Sequence, residues 1–244
     1  MTITLKTETL LFDLDGTLVN SIAAVEKSWE SEVRAHNEKY PDNQYDVQEF
    51  VHSCHGSRTV DVFKKNFPYK PNDTEAVSKW EEGIVSHFGD LGQQVHGALE
   101  FLDSINKSKF KDHWAVVTSG TEALAHGWFK KLFFSTSEPT VFITANDVTH
   151  GKPNPEGYAA AYATLADKHG ITKNDGVTPA VVFEDSPVGI ESGVNAGFIV
   201  VGVATTFGKD KLTKAGAKYV VKDLSKVELD SSSKEDIVLK LDVL

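Results

Sequence analysis

The sequence predicts an α/β fold: a doubly wound parallel sheet of Rossmann-like type, broken after its first strand by an inserted helical domain. Two observations carry this. From about residue 95 to residue 221, short and wholly apolar runs alternate with helical stretches. That alternation is what a parallel sheet covered on both faces requires. Before it, residues 20–92 contain helical segments but no β-branched run suited to a buried strand.

The first strand is the apolar run Leu10-Leu11-Phe12, which ends in Asp13-Leu14-Asp15-Gly16-Thr17-Leu18-Val19. Alternation along a strand would point Asp13 and Asp15 to one side. Paired like charges there are tolerable if a cation lies between them or one keeps its proton. Gly16 permits a sharp turn just beyond them. Taken alone, the pair fits an acidic turn in water as well as it fits a site. Asn20 or Ser21 offers a cap for a helix that includes Val25–His36. Further helices are expected over Val47–Ser53, Arg58–Phe67 and Thr74–Phe88, with turns such as Tyr40-Pro41-Asp42-Asn43 between them.

The alternating region begins after Val95-His96-Gly97. It reads as helix from Ala98, strand Trp114–Thr118, helix Glu122–Phe133, strand Thr140–Thr144 and helix Glu156–His169. Strand Ala180–Asp185, helix Val188–Ala196 and strands Ile199–Val203 and Tyr219–Val221 complete it. The tail from about Leu229 is polar, with Ser231-Ser232-Ser233, and closes on a short apolar stretch that is given no element. The expected domains are therefore 1–19 with 93–244 as the α/β catalytic core, and 20–92 as a helical cap.

A chain of 244 residues suits one large domain or one domain with an insert. Its 35 acidic against 25 basic residues give a net charge of −10, which argues against nucleic-acid and acidic-membrane surfaces. The lone Cys54 excludes an internal disulfide and fits a reducing compartment. The N-terminal residues lack a signal-peptide pattern, and no apolar run reaches membrane-span length. A cytoplasmic protein is expected. Nothing in the sequence specifies an oligomeric state.

Three strand ends converge on one edge of the expected sheet. The first brings Asp13 and Asp15. The strand at 114–118 ends in Thr118-Ser119-Gly120, whose hydroxyls, backbone N–H groups and following helix start suit an anion. The strand at 180–185 brings Glu184 and Asp185. Lys152 lies in the loop Gly151-Lys152-Pro153-Asn154-Pro155. Each part has a plainer explanation by itself: Glu184-Asp185 as a helix cap, Lys152 as a solvated lysine, Thr118-Ser119 as an N-cap. Their convergence favours a hard divalent cation beside a bound oxyanion, and Mg²⁺ suits carboxylates with phosphate oxygens.

These motifs resemble the haloacid dehalogenase-type phosphatases. The matching stretches, in order, are Asp13-Leu-Asp-Gly-Thr, Val-Val-Thr118-Ser, Gly-Lys152-Pro and Phe-Glu184-Asp185-Ser-Pro-Val-Gly-Ile, and they span residues 10 to about 205. The placement of the insert resembles the first cap type of that superfamily. His55-Gly56-Ser57-Arg58-Thr59, Trp128-Phe129 and Pro155-Glu156-Gly157-Tyr158 are similar to stretches of its yeast branch acting on 2-deoxyglucose 6-phosphate and glycerol phosphate.

The resemblance implies that Asp13 attacks phosphorus and forms an aspartyl phosphate. It makes Asp15 the acid that protonates the leaving alkoxide and the base that then activates water. It implies a Mg²⁺ site of Asp13, Asp15 (through its backbone carbonyl), Asp185 and Glu184. Thr118 and Lys152 would complete the catalytic set, and Thr17 would orient Asp15 or cap the turn. Ser119, Arg58 and His55 would bind substrate, Arg58 through its planar fork of donors. The plain alternative for Arg58 is a solvated residue opening the next helix. Trp29 and Cys54 are expected to pack rather than to bind. The implied substrate is a small phosphorylated sugar or polyol. Glycerol phosphate is one alternative, and a β-phosphoglucomutase-type phosphomutase on the same scaffold is another.

Overall fold

The apolar run ahead of the two carboxylates is the centre of the sheet. In a computed structural model that describes residues 1–133, 135–171, 177–233 and 235–244, strand β1 (Thr2–Phe12) lies between parallel neighbours on both sides. Leu10, Leu11 and Phe12 pair with Trp114, Ala115 and Val116 of β4 (Trp114–Val117). On the other side they pair with Val181, Val182 and Phe183 of β6 (Thr178–Glu184). With β5 (Val141–Ile143), β7 (Ile199–Val203) and β8 (Tyr219–Val221), the parallel order is β5-β4-β1-β6-β7-β8.

Alternation divides the core between the two faces. Leu10, Phe12, Trp114, Val116 and Phe183 pack beneath α5 (Ala98–Asn106) and α6 (Glu122–Leu132). Phe12 stacks on Phe183 at 5.0 Å and meets Phe101 and Trp114 edge-on. Leu11, Ala115, Val117 and Val182 face α7 (Glu156–His169), α8 (Pro187–Asn195) and α9 (Lys209–Lys214). Parallel strands covered on both faces explain why the runs are continuously apolar.

The insert is helical, as the sequence predicts: α1 (Ile22–Lys39), α2 (Val47–Ser53), α3 (Thr59–Asn66) and α4 (Thr74–Phe88), then a single 3₁₀ turn. Asp46 and Asp73 cap α2 and α4, accepting from the N–H groups of Glu49 and Ala76. These helices enclose a separate aromatic cluster of Trp29, Phe50, Phe63 and Phe67, with Trp80 4.5 Å from Trp29. The chain leaves the core through β2 (Val19–Asn20) and returns through β3 (Gln93–Gln94), and these two pair antiparallel with each other.

The tail, given no element from the sequence, carries β9 (Val227–Leu229) and β10 (Ile237–Asp242). Strand β10 pairs antiparallel with Thr2–Thr7, so β1 begins eight residues before the expected run. Ile237, Leu239 and Leu241 are buried while the residues between them are more exposed. Helix α9 is likewise an addition. No helix among the described residues is long and apolar enough to cross a membrane.

Candidate active site

The strand ends at Phe12, and residues 13–18 turn in a tight loop rather than extending it. The Leu14 carbonyl accepts from the N–H groups of Leu18 and Val19, and Gly16 N–H donates to Val19 at 2.6 Å. Gly16 has φ of 92°, and a Cβ there would lie 2.0 Å from Asp185 Oδ2. The turn thus brings Asp13 and Asp15 to one cavity, of about 80 Å³, together with Thr118, Ser119, Asp185 and His55. Their shared direction comes from this loop and not from strand alternation.

Lys152 is the hub. Its ammonium donates to Asp13 Oδ1 at 2.6 Å, Glu184 Oε1 at 2.6 Å and the Val117 carbonyl at 3.2 Å, so all three donors are used. Burial works against the charge, but Asp13 and Glu184 outweigh it and hold the amine above its ordinary range. Burial lifts the Asp13 carboxyl to about 8, against the pull of Lys152. Burial also raises Asp15, despite hydrogen bonds from Ser21 at 2.5 Å and Thr118 at 3.5 Å. Asp185 is pushed well above the usual carboxylate range by burial and by Glu184 and Asp13 beside it. A carboxyl held in this way keeps a proton at pH values where a solvated one has lost it.

Asp13, Glu184 and Asp185 each offer an oxygen within 4.8 Å of the others. Asp13 Oδ2 is buried without a hydrogen-bond partner. An unpartnered buried carboxylate oxygen within a cluster of hard oxygen ligands is what a divalent cation would complete. The donors fit such an ion. Glu184 accepts from Lys152 and Tyr158 on one oxygen and from the Ser186 N–H and hydroxyl on the other. Its carboxylate is engaged in fixing Lys152 and the start of α8, which leaves Asp13 and Asp185 the more open ligands. The Asp15 carboxylate turns to Ser21 and Thr118 and adds no oxygen to this cluster.

The remaining expected residues divide. Thr118 Oγ1 accepts from Gly120 N–H at 3.0 Å and reaches Asp15. The Ser119 hydroxyl donates to the Gly56 carbonyl at 2.9 Å, tying the loop to the insert. The start of α6, expected to receive an anion, is already occupied: Thr121 N–H donates to Glu81 Oε2 at 2.6 Å and Glu122 N–H to Asn146 at 3.0 Å. His55 lines the cavity and contacts Glu26 at 3.2 Å, and its burial favours the neutral ring. Arg58 opens α3 from its N-cap position, as the plainer reading has it. It is neither solvated nor aimed into the cavity, because its guanidinium pairs with Asp61 and donates to the Val148 and Thr149 carbonyls. Thr17 is buried with its hydroxyl unpartnered and makes no bond to Asp15.

Three residues were missed. Ser21 stands at the N-cap position of α1 but makes no cap bond, holding Asp15 instead. Thr206 donates to Asp185. Glu81 lies in the cavity wall and is buried. A signal for Glu81 existed, since it falls between Val77 and Ile84 on the apolar stripe of α4. Trp29 packs in the helical cluster as expected, and it also borders the cavity.

A family model described as haloacid dehalogenase-like hydrolase matches residues 7–197. A 2-deoxyglucose-6-phosphate phosphatase of Saccharomyces cerevisiae is 37% identical over 238 residues, covering 95% of this chain and 94% of its own. A glycerol-1-phosphate phosphohydrolase of the same yeast is 36% identical over 234 residues, covering 96% and 89%. Among solved structures, a hydrolase from Pseudomonas syringae superposes with a TM-score of 0.68 at 23% identity, covering 89% of this chain and 94% of that one.

Proposed function

This chain belongs to the haloacid dehalogenase-like hydrolases, and on that footing we propose that it is a phosphatase of small sugar or polyol phosphates. The observation that carries the proposal is the Lys152 hub. It neutralises Asp13 and Glu184 beside Asp185, with Asp13 Oδ2 unpartnered and Asp15 facing the same cavity. In this reading residues 1–19 and 93–244 form the catalytic core, and 20–92 form the cap that closes the cavity.

Asp13 attacks phosphorus, the ester P–O bond breaks, and the phosphoryl group passes to the Asp13 carboxylate. Asp15 delivers its proton to the departing alkoxide. It then takes a proton from the water that opens the aspartyl phosphate. Burial shifts Asp15 towards the protonated form that the first step needs, and Ser21 and Thr118 aim it. Lys152 keeps Asp13 from being repelled by its acidic neighbours and presents positive charge to the incoming dianion. Asp13 and Asp185 would hold Mg²⁺, with Glu184 behind them. The ion, when bound, would neutralise charge on the transferring group. In the Thr118–Gly120 turn, the Thr118 hydroxyl, only 3.5 Å from Asp15, and the Ser119 N–H would be the donors to phosphate oxygens, since the Ser119 hydroxyl and the Gly120 N–H are already bonded within the protein.

The test is phosphate release from a panel that includes 2-deoxyglucose 6-phosphate, hexitol phosphates and glycerol 1-phosphate, with Mg²⁺ and with chelator. Release from at least one sugar or polyol ester, dependent on the metal, is expected. Formation of an isomeric sugar phosphate without free phosphate would replace hydrolysis by a phosphomutase reaction. No turnover of any ester would overturn both.

A further inference from the structure

Buried carboxylates outside the metal cluster need a reason, because removing the charge from water is costly unless every oxygen is bonded. Glu81 is such a group. It lies on α4, in the insert, and is only 2% exposed. One oxygen accepts from the Thr59 hydroxyl of α3, and the other accepts from Thr121 N–H at 2.6 Å. The second contact crosses from the insert to the core. Thr121 opens α6 but supplies no side-chain cap to it, and its own hydroxyl is buried without a partner. An acidic group there also complements the positive end of the helix.

Thr121 closes the turn that begins at Thr118. Within it, Gly120 N–H bonds Thr118 Oγ1, and the Ser119 hydroxyl bonds the Gly56 carbonyl of the insert. The segment that would grip phosphate is therefore held from the insert at two points. Ser119 donates outward at one, and Glu81 receives at the other.

We propose that Glu81 is a positioning residue of the phosphate site: it caps α6 in trans, so loop 118–121 takes its working shape only while the helical insert is seated on the core. The proposal rests on the phosphatase reading above. It adds that the insert helps to form the phosphate grip as well as covering it. Glu81 borders the cavity but both its oxygens are held by protein groups, which distinguishes it from a substrate ligand.

Glu81→Leu continues the buried stripe of α4 formed by Val77 and Ile84 and leaves Thr121 N–H and the Thr59 hydroxyl without their partner. Glu81→Gln keeps an acceptor for Thr121. Both are compared with the parent by calorimetric titration of inorganic phosphate with Mg²⁺, by kcat and KM, and by denaturation. Expected for Glu81→Leu is a loss of at least about tenfold in phosphate affinity, with a matching rise in KM for every substrate tried. Glu81→Gln should stay within about threefold of the parent. Should Glu81→Leu unfold, Thr59→Val, which removes only the insert-side support, is read by the same titration and should weaken phosphate by a smaller factor. Unchanged phosphate affinity in the folded variants would overturn the proposal. So would a KM effect confined to one polyol, since that marks a substrate ligand. A parent protein that neither binds phosphate nor hydrolyses esters would instead defeat the phosphatase reading.

Discussion

Replacing Lys152 with methionine removes the ammonium but keeps an unbranched chain of similar length. In the parent that ammonium lies 2.6 Å from both Asp13 and Glu184, with its side chain 6% exposed. At an effective dielectric of about 20, each contact at that distance is worth about 6 kcal/mol before desolvation is subtracted. Breaking a buried pair by removing one partner costs about 3–5 kcal/mol net. Here the loss leaves three carboxylates within 4.8 Å of one another with no ammonium among them. Urea denaturation in chelator should therefore show Lys152→Met destabilised by about 3–5 kcal/mol. Saturating Mg²⁺ should recover more stability in the variant than in the parent, because the ion takes over neutralisation of the same acids. A loss under about 1 kcal/mol in chelator, the value of an exposed ion pair, would refute the hub. An equal Mg²⁺ effect on both proteins would refute the shared charge balance.

On the proposed mechanism, Asp13→Asn should lower kcat by about 10⁴-fold or more without lowering the denaturation midpoint, since it would remove the nucleophile and one of several crowded acids. Asp15→Asn should cost about 10²–10⁴-fold in kcat, as expected for a lost proton donor, in steady-state assays. Gly16→Ala combines strain at φ of 92° with a Cβ 2.0 Å from Asp185. Its affinity for Mg²⁺, read by titration calorimetry, should fall by about 10–100-fold. His113, half-buried and stacked on His169 at 3.9 Å, has its pKa lowered by burial and by that neighbour. The unfolded chain then takes up a proton below about pH 6.5 that the folded one resists, so this contribution to stability is present above that pH and lost below it. The fall in Tm between neutral and mildly acidic pH should be smaller in His113→Phe than in the parent.

Most of the sheet was legible because parallel strands buried on both faces are mostly apolar: Leu10–Phe12, Trp114–Val117 and Ala180–Phe183 could hardly be read otherwise. Strand β10 was not, though Ile237, Leu239 and Leu241 alternate cleanly. Its partner lies at the far end of the chain, and short alternation does not name a non-local partner. At the site, the positions of Asp13, Lys152 and Asp185 follow from strand ends and a proline-framed loop, both local features. The partners of Arg58, Ser21 and Glu81 do not, because each is set by where the insert meets the core. Helical periodicity places Glu81 on a buried stripe but cannot say that a backbone N–H waits opposite.

The neck of the insert has a consequence for how such proteins diversify. Val19 pairs with Gln94 and Asn20 with Gln93, so the outgoing and returning chains stand side by side. To the sheet, everything from Ser21 to Gly92 is a loop with adjoining ends, and adjoining ends make a site tolerant of inserted structure. Helices can be lengthened, exchanged or resurfaced there without altering the register of β1 against β4 and β6. Residues 21–92 can therefore change while the acids and lysine of the core keep their places. The constraint on that freedom lies where the two parts meet: whatever is grafted must return a hydroxyl to Asp15, acceptors to Ser119 and Thr121, and an apolar face in place of Ile84.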